Sequence, residues 1–124
     1  MPSLSSKLPA EQKLKLILDS LEEKKAIAPE VMDLTGRTLV ADYFVVTHGT
    51  SDVHIRALSD AVIEAMEEKG GQRARLEGDH RANWVLLDYG DVVVHIFTAE
   101  ARAMYDLDSL WRSMEARRKD TGQA

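Results

Sequence analysis

Cysteine is absent from this chain of 124 residues. That absence excludes a disulfide framework, a cysteine-ligated zinc site and a cysteine nucleophile. Long apolar runs are absent as well, since none reaches the roughly 18 residues of a membrane-spanning helix. The first residues, up to Lys7, lack the apolar centre of a secretion signal. We therefore expect a cytoplasmic protein without a membrane partner.

Basic side chains are in the minority, with 16 Lys and Arg against 21 Asp and Glu and a formal net charge of −5. Affinity for nucleic acid depends on neutralising phosphates with Lys and Arg, so this balance argues against direct nucleic-acid readout. The acidity suits a basic protein partner, but it could equally do no more than keep the chain soluble. The apolar share of 44% and the charged share of 30% are ordinary for one globular domain.

Three helical segments are predicted from apolar spacing and capping residues. The first begins after Pro9 and ends near Lys24, with an apolar stripe formed by Leu14, Ile17, Leu18 and Leu21. The second follows Ser51, a favoured N-cap residue, and ends at Gly70. The third is a short helix after Thr98, followed by one or two further helical turns before a charged tail.

Residues 84–97 carry the strongest strand pattern, with two apolar runs on either side of the sequence Asp-Tyr-Gly-Asp. They predict a β-hairpin, and a two-residue loop would place Asp88 opposite Asp91. Alternation then forms one apolar face from Val85, Leu87, Val92, Val94 and Ile96. The opposite face is mixed and comprises Trp84, Leu86, Asp88, Asp91, Val93, His95 and Phe97. A helix or a binding partner must cover this mixed face, and the pattern leaves both open.

Two more strands are predicted, at residues 30–34 and 42–47, and the polar segment 72–83 is predicted to be a loop. The element order α-β-β-α-β-β-α predicts a single α/β domain, with helices packed on a mixed sheet of about four or five strands. The passage from Asp42 to Trp84 allows a right-handed parallel crossover between the two strands that it joins.

A turn at Gly49-Thr50-Ser51-Asp52, between a strand and a helix, is typical of nucleotidyl-transfer enzymes, which add two carboxylates that hold Mg²⁺. The Asp-x-Asp pair is missing at this turn, because His54 stands where the second carboxylate would be. The pair Asp106 and Asp108 lies farther along the chain, where capping a helix is the simpler role. A metal-dependent transferase is one alternative that this pattern leaves open.

Two other chemical sites can be assembled from residue types alone. His48, Asp52 and His54 could supply three metal ligands, but their spacing matches no recognised motif. Ser51, His95 and an aspartate could form a hydrolytic triad, but the chain has no Gly-x-Ser-x-Gly turn to present the serine. In mid-strand, His95 is more simply a structural residue that forms a hydrogen bond.

The remaining aromatic residues of interest are Tyr89 at the hairpin turn, Tyr105 and Trp111. Aromatic side chains are enriched at the centres of protein interfaces, and large exposed apolar patches mark interaction sites. Either a C-terminal helix covers these rings or a protein partner does.

Several blocks of the chain resemble, in the same order, the ribosomal silencing factor family, also called the Iojap-like family. The blocks are Asp42-Tyr43-Phe44-Val45-Val46, Gly49-Thr50-Ser51-Asp52-x-His54, the hairpin sequence from Trp84 to Phe97, Ala101-Arg102, Tyr105-Asp106-Leu107 and Leu110-Trp111. On this resemblance we expect a folded domain at residues 9–112, a flexible N-terminus at 1–8 and a charged tail at 113–124.

The resemblance implies a translational repressor without catalytic residues, metal or cofactor. Such proteins bind the large ribosomal subunit through its protein fourteen and block docking of the small subunit, which lowers translation when nutrients are scarce. The resemblance also implies a nucleotidyltransferase-like core without the catalytic carboxylates, and homodimers of the free protein. The implied contact residues are Trp84, Leu86, Asp88, Tyr89, Asp91, His95, Tyr105, Leu107 and Trp111. A nucleotidyltransferase-like enzyme and a plain dimerisation module are the alternatives.

Overall fold

The computed structural model describes residues 8–78, 81 and 83–120, and the side chains within these ranges as far as residue 113. Its helices are α1 (Ala10–Glu23), α2 (Asp52–Glu68), α3 (Ala99–Tyr105) and α4 (Leu107–Asp120). Its strands are β1 (Ile27–Asp33), β2 (Tyr43–Gly49), β3 (Arg75–Glu77), β4 (Trp84–Asp88) and β5 (Val92–Thr98). In the described ranges, no helix combines the length and the apolar character that crossing a membrane requires. The segment predicted to be a flexible N-terminus lies outside these ranges except for Leu8.

Helices α1 and α2 begin and end close to their predicted positions. In α1, Ile17 and Leu21 of the predicted apolar stripe are fully buried. Ser51 caps α2, because its Oγ accepts a hydrogen bond from the backbone N–H of His54 at 3.1 Å. After α2, Gly71 has a φ of +64°, a left-handed conformation in which glycine is favoured at the end of a helix.

The five strands form one mixed sheet in the order β1-β2-β5-β4-β3. Strands β2 and β5 are parallel, and the other neighbours are antiparallel. The predicted mixed sheet is thus confirmed, but the predicted crossover is wrong, because the parallel partner of β2 is β5 rather than the strand that begins at Trp84. Strand β5 lies at the centre of the sheet, and its side chains from Val92 to Phe97 are all buried. Strand β4, nearer the edge, alternates between buried and half-buried residues.

An edge strand lies within the segment that was predicted to be a loop. Arg75, Leu76 and Glu77 of β3 are exposed and pair with β4. Short, charged strands are typical of sheet edges, where they discourage pairing with another chain. Three residues of which two are charged carry no strand pattern, so the sequence did not predict β3. Residues 79–80 and 82 of the predicted loop lie outside the described part of the chain.

Apolar clusters fill both sides of the sheet. The larger cluster lies between the sheet and helices α1 and α2, and its hairpin members include Val85, Leu87, Val92, Val94 and Ile96. These are the residues of the predicted apolar face, which is confirmed. The smaller cluster lies on the opposite side, and its buried members are Met32, Val46, Phe97 and Ala101. Leu107 and Trp111 of α4 pack against the smaller cluster and cover part of it.

The hairpin turn differs from its prediction. Asp88 pairs with Val93, two residues beyond the predicted partner, so the four residues from Tyr89 to Val92 lie between the paired positions. Asp88 therefore does not lie opposite Asp91. Side chains alternate with a period of two, so a shift of two residues leaves the side chains of β4 and β5 on their predicted faces. This is why the faces were predicted correctly although the pairing was not.

Helices α3 and α4 follow directly from β5. The Oγ1 of Thr98 accepts a hydrogen bond from the backbone N–H of Ala101 at 3.1 Å, which confirms the predicted cap. Asp106, with a φ of +50°, ends α3 and lets the chain turn into α4. Helix α4 extends to Asp120, much farther than the one or two turns predicted. The extra turns are rich in Arg, Lys and Glu, which favour helix although they form no apolar stripe.

Candidate binding surface

Aromatic rings gather on the side of the sheet opposite α1 and α2. We call this set the aromatic face, and it comprises Phe44, Trp84, His95, Phe97 and Tyr105. The indole of Trp84 lies 5.0 Å from the ring of Phe97 and 4.7 Å from the ring of Tyr105, measured between centroids. The ring of His95 lies 4.5 Å from that of Phe44. Strands β2, β4 and β5 and helix α3 therefore bring together residues that are far apart in the sequence.

Trp84 and His95 are joined by a hydrogen bond across β4 and β5. The indole Nε1 of Trp84 donates to Nδ1 of His95 at 3.0 Å. An indole nitrogen can only donate, so Nδ1 carries no proton and the proton of the neutral ring is on Nε2. Burial lowers the pKa of His95 from 6.5 to about 4, which keeps the ring neutral near pH 7. Among the described residues, Nε2 has no hydrogen-bond partner.

The corner between α3 and α4 is held by Arg102. Its Nε and one terminal nitrogen donate to the two carboxylate oxygens of Asp108, each at 3.1 Å. Its other terminal nitrogen donates to the backbone carbonyl of Ile27 in β1 at 3.1 Å. The hydrogen bonds from Arg102 hold the pKa of Asp108 below its usual value. The start of α4 is thus tied to both α3 and the sheet.

Helix α4 adds apolar side chains beside the aromatic face. Leu107 and Trp111 are half-buried against the smaller cluster, and the guanidinium of Arg37 lies 5.0 Å above the ring of Trp111. Tyr105 at the end of α3 is 49% exposed and Leu110 is 57% exposed. This corner presents large apolar groups to solvent next to the aromatic face, and neighbouring exposed apolar groups are typical of interaction sites.

Six of the nine predicted contact residues are at least partly accessible on this side of the sheet. We call these residues the exposed strip, and they are Trp84, Leu86, Asp88, Tyr105, Leu107 and Trp111. Leu86 pairs with His95 across the strands and shares its face. Asp88 accepts a hydrogen bond from the backbone N–H of Gly90 at 2.7 Å, so one of its oxygens already stabilises the turn.

Tyr89, predicted to meet a partner at the turn, is instead part of the larger cluster and only 1% exposed. It follows Asp88 along the chain, so alternation directs its side chain to the other side of the sheet. Burial raises the pKa of its phenol, and its hydroxyl finds no hydrogen-bond partner in the described ranges. Tyr89 is therefore a core residue and does not belong to an exposed contact surface.

Asp91 and His95 also have internal roles, of which the sequence predicted only that of His95. The carboxylate of Asp91 forms an ion pair with the buried Nζ of Lys13 at 2.7 Å, and its backbone carbonyl accepts from Asp42 and Tyr43 at 2.8 and 3.0 Å. His95 is only 3% exposed. The prediction of a structural role for His95 with a hydrogen bond is confirmed, and its prediction as a direct contact does not agree with its burial.

Phe44, Lys13 and Arg102 are structurally important residues that sequence reasoning did not select for the site. Phe44 lies two residues before Val46 in β2, so the two side chains share a face of the sheet. This spacing would have placed Phe44 beside His95 once β5 was known to be the neighbour of β2. No local signal indicated the partners of Lys13 or Arg102, because both reach elements far away in the sequence.

The turn that resembled a nucleotidyl-transfer site holds a recess of about 300 Å³, lined by residues 48–52 and 98–100. His54 uses Nδ1 to accept from the backbone N–H of Thr50 at 3.0 Å, and its Nε2 lies 2.9 Å from the carbonyl of Lys24. Of the residues that the structure describes, no three His, Asp or Glu side chains are grouped to hold a metal ion. Asp106 accepts from the backbone N–H of Ser109 at 3.2 Å, as predicted for a helix cap.

The fold and this surface define a small α/β domain that presents a preformed strip of aromatic and aliphatic side chains, a type of surface suited to macromolecular recognition. The family model described as "Ribosomal silencing factor during starvation" matches residues 7–124. The chain belongs to this family of ribosome-associated silencing factors.

Individual relatives agree with this assignment. A ribosomal silencing factor of Bacillus subtilis is 40% identical over 98 residues, which are 79% of this chain and 83% of the relative. A crystal structure of a protein from Chromobacterium violaceum superposes with a TM-score of 0.79 at 31% identity, covering 84% of this chain and 87% of that one. A mouse protein named for mitochondrial assembly of the ribosomal large subunit is 24% identical over 113 residues, which are 89% of this chain and 50% of the mouse protein.

Proposed function

We propose that this protein binds the large ribosomal subunit through the exposed strip, by contact with ribosomal protein fourteen. The bound protein would occupy space that the small subunit needs, so translation falls when nutrients are scarce. Its action is steric and takes place in the cytoplasm. Family membership supports a role at the ribosome, and the name of the mouse relative, which refers to the large subunit, supports that choice of subunit.

The single observation that carries the proposal is the packing of Trp84 against Tyr105 at 4.7 Å. Trp84 is half-buried and Tyr105 is 49% exposed, so each offers apolar area to a partner while its orientation is already restricted. Preordered aromatic side chains lose little conformational entropy on binding, and Trp and Tyr dominate binding energy at many interfaces.

Charge supports a basic partner surface. Asp88 lies at the end of β4 beside the exposed strip, and the chain carries a formal charge of −5. Complementary charge raises association rates and fixes orientation more than it adds affinity. We therefore propose that the apolar strip supplies most of the affinity and that Asp88 helps to set the orientation.

Binding is tested by co-sedimentation with isolated large subunits. Trp84→Ala should weaken binding by about 30-fold or more, the effect of losing an interface residue worth at least ~2 kcal/mol. The matched control is Val53→Ala, because Val53 is apolar and 78% exposed on α2, which packs on the other side of the sheet. Equal binding by the two variants would show that the exposed strip is not the contact surface.

Steric blocking is tested by a subunit-joining assay, in which light scattering follows the formation of complete ribosomes. The unaltered protein should reduce joining in proportion to its occupancy of large subunits, and Trp84→Ala should do so only at much higher concentration. Normal joining at saturating occupancy would refute the steric mechanism while leaving binding intact.

We further propose that the free protein forms a homodimer through the same surface, since Tyr105 and Leu110 are exposed there. In that case the dimer must open before it binds a ribosome. Raising the protein concentration should then weaken ribosome binding per protomer, and Tyr105→Ser should shift the sedimentation coefficient toward that of a monomer. A protein that stays monomeric at all concentrations would exclude this dimer.

A further inference from the structure

The indole of Trp84 donates a hydrogen bond to the side chain of His95. The donor is Nε1 of Trp84 and the acceptor is Nδ1 of His95, 3.0 Å apart. The histidine is held in place by its neighbours, since its ring lies 4.5 Å from Phe44 and 6.2 Å from Phe97 and is 3% exposed. The acceptor therefore has a fixed position, whereas its donor lies at the edge of the exposed strip.

Ring packing and the hydrogen bond restrict different motions of Trp84. Contacts with Phe97 and Tyr105, at interplanar angles of 33° and 48°, limit the tilt of the indole. Such contacts are weakly directional, so they tolerate rotation of the indole within its own plane. A hydrogen bond is directional and points one edge of the indole inward.

Burying the polar ring of His95 costs free energy that an apolar side chain at the same position would not. Its Nε2–H is buried and lacks a hydrogen-bond partner among the described residues, and an unmade buried hydrogen bond is unfavourable. An aliphatic residue of similar size would leave no such group. The useful property of histidine at this position is the acceptor nitrogen that faces Trp84.

We propose that His95 is a positioning residue, which orients the indole of Trp84 for the ribosomal partner and does not itself touch that partner. This inference rests on the proposed function, because it assigns a role at the same surface. His95 was predicted to contact the partner directly, and in this proposal it acts on the partner only through the orientation of Trp84.

The experiment compares two substitutions of His95. His95→Asn keeps an acceptor at nearly the same distance from the backbone, since its Oδ1 takes the place of Nδ1. His95→Leu keeps apolar volume but has no acceptor. Val93→Ala is the control for general loosening, because Val93 lies on the same face of β5 and is 5% exposed. Affinity for isolated large subunits is measured for each variant after thermal unfolding has established that it is folded.

A second measurement reports the indole directly. The chain has two tryptophans, so in a Trp111→Phe background the long-wavelength edge of the near-ultraviolet circular dichroism spectrum, where tyrosine and phenylalanine do not absorb, reports Trp84. The signal should change in His95→Leu, because the indole can then rotate against Phe97 and Tyr105, and should be kept in His95→Asn and Val93→Ala. Affinity should fall about three- to tenfold in His95→Leu, the range expected for one neutral hydrogen bond, and recover in His95→Asn.

The outcomes separate the positioning role from the proposed function. Equal affinity of His95→Leu and His95→Asn would overturn the inference, as would loss of affinity without a change in the Trp84 signal. Failure of the unaltered protein to bind large subunits would refute the proposed function instead. In that case the Trp84 signal alone would decide whether His95 orients the indole.

Discussion

His95 shows at the scale of a single residue how tertiary packing changes chemistry. Its position in mid-strand was evident from the sequence, and a hydrogen-bonded structural role was the simplest interpretation. Its burial, its neutral state and its acceptor contact with Trp84 depend on rings from β2 and β4. Strand β2 is far from His95 in the chain, and the contact with Trp84 depends on the register of the hairpin, so the sequence pattern could indicate the face but not the environment.

The protein should lose stability in mild acid because of His95. Its pKa is about 4 in the folded chain and 6.5 in the unfolded chain. Below pH 6.5 only the unfolded chain takes up this proton, so the free energy of unfolding should fall by up to about 1.4 kcal/mol per pH unit until about pH 4. Urea unfolding at several pH values measures this slope. His95→Leu should have a shallower slope, and identical slopes would rule out His95 as the cause.

Tyr89 illustrates how a residue predicted to be exposed in a turn can be buried, because the alternation of β4 continues past Asp88 and directs the next side chain into the larger cluster. Tyr89→Ala should destabilise the protein by about 3–5 kcal/mol, the usual cost of truncating a buried aromatic residue. Tyr89→Phe should be nearly neutral, because the hydroxyl that it removes has no hydrogen-bond partner among the described residues. Chemical denaturation measures both changes. A large loss of stability in Tyr89→Phe would mean that the hydroxyl makes a stabilising contact.

At the scale of secondary structure, local signals predicted helices α1 and α2 and the hairpin well. Ser51 and Thr98 cap their helices as expected, because capping involves residues only three apart. The prediction failed for β3 and for the length of α4, where charged residues form regular structure without an apolar pattern. Strand β3 is stabilised by pairing with β4, and the end of α4 by the intrinsic helix propensity of its residues. Neither produces a periodic apolar pattern from which the element could be predicted.

The α3–α4 corner should depend on the pair of Arg102 and Asp108, whose side chains are only 12% and 13% exposed. Asp108→Ala leaves a largely buried cation without its carboxylate and should cost about 3–5 kcal/mol of stability. It should also weaken ribosome binding, because Tyr105 and Leu107 lie beside this corner. The double variant Arg102→Met with Asp108→Leu should recover most of the stability in urea unfolding. A double variant less stable than Asp108→Ala would contradict this account.

At the scale of the whole molecule, the sheet separates two surfaces with different roles. Helices α1 and α2 cover one side completely enough to bury the larger cluster. Helices α3 and α4 cover the other side only in part and leave the exposed strip accessible. The sequence left two possibilities for the mixed face of the hairpin, a covering helix or a partner. The structure has a helix over one end of it and accessible residues beside that helix.

The acidic character of the whole protein should influence its association rate. Raising the salt concentration from about 50 mM to about 300 mM should slow association with large subunits. Added salt screens the long-range attraction between the acidic protein and a basic partner surface before they touch. Asp88→Asn should slow association at low salt and show a weaker salt dependence, with little change in dissociation. Surface-immobilised large subunits allow both rates to be measured. A salt effect confined to dissociation would contradict the orientation role of Asp88.

The sequence by itself determined what depends on short chain separations: the helix caps, the two hairpin strands and the division of their side chains between two faces. These features follow from hydrogen-bond geometry and from periods of 2 and 3.6 residues. Tertiary structure decided that β2 lies parallel to β5, that Tyr89 and His95 are buried, and that Lys13 pairs with Asp91. Each of these depends on the register between distant segments, which the packing of the whole core selects and no local pattern encodes.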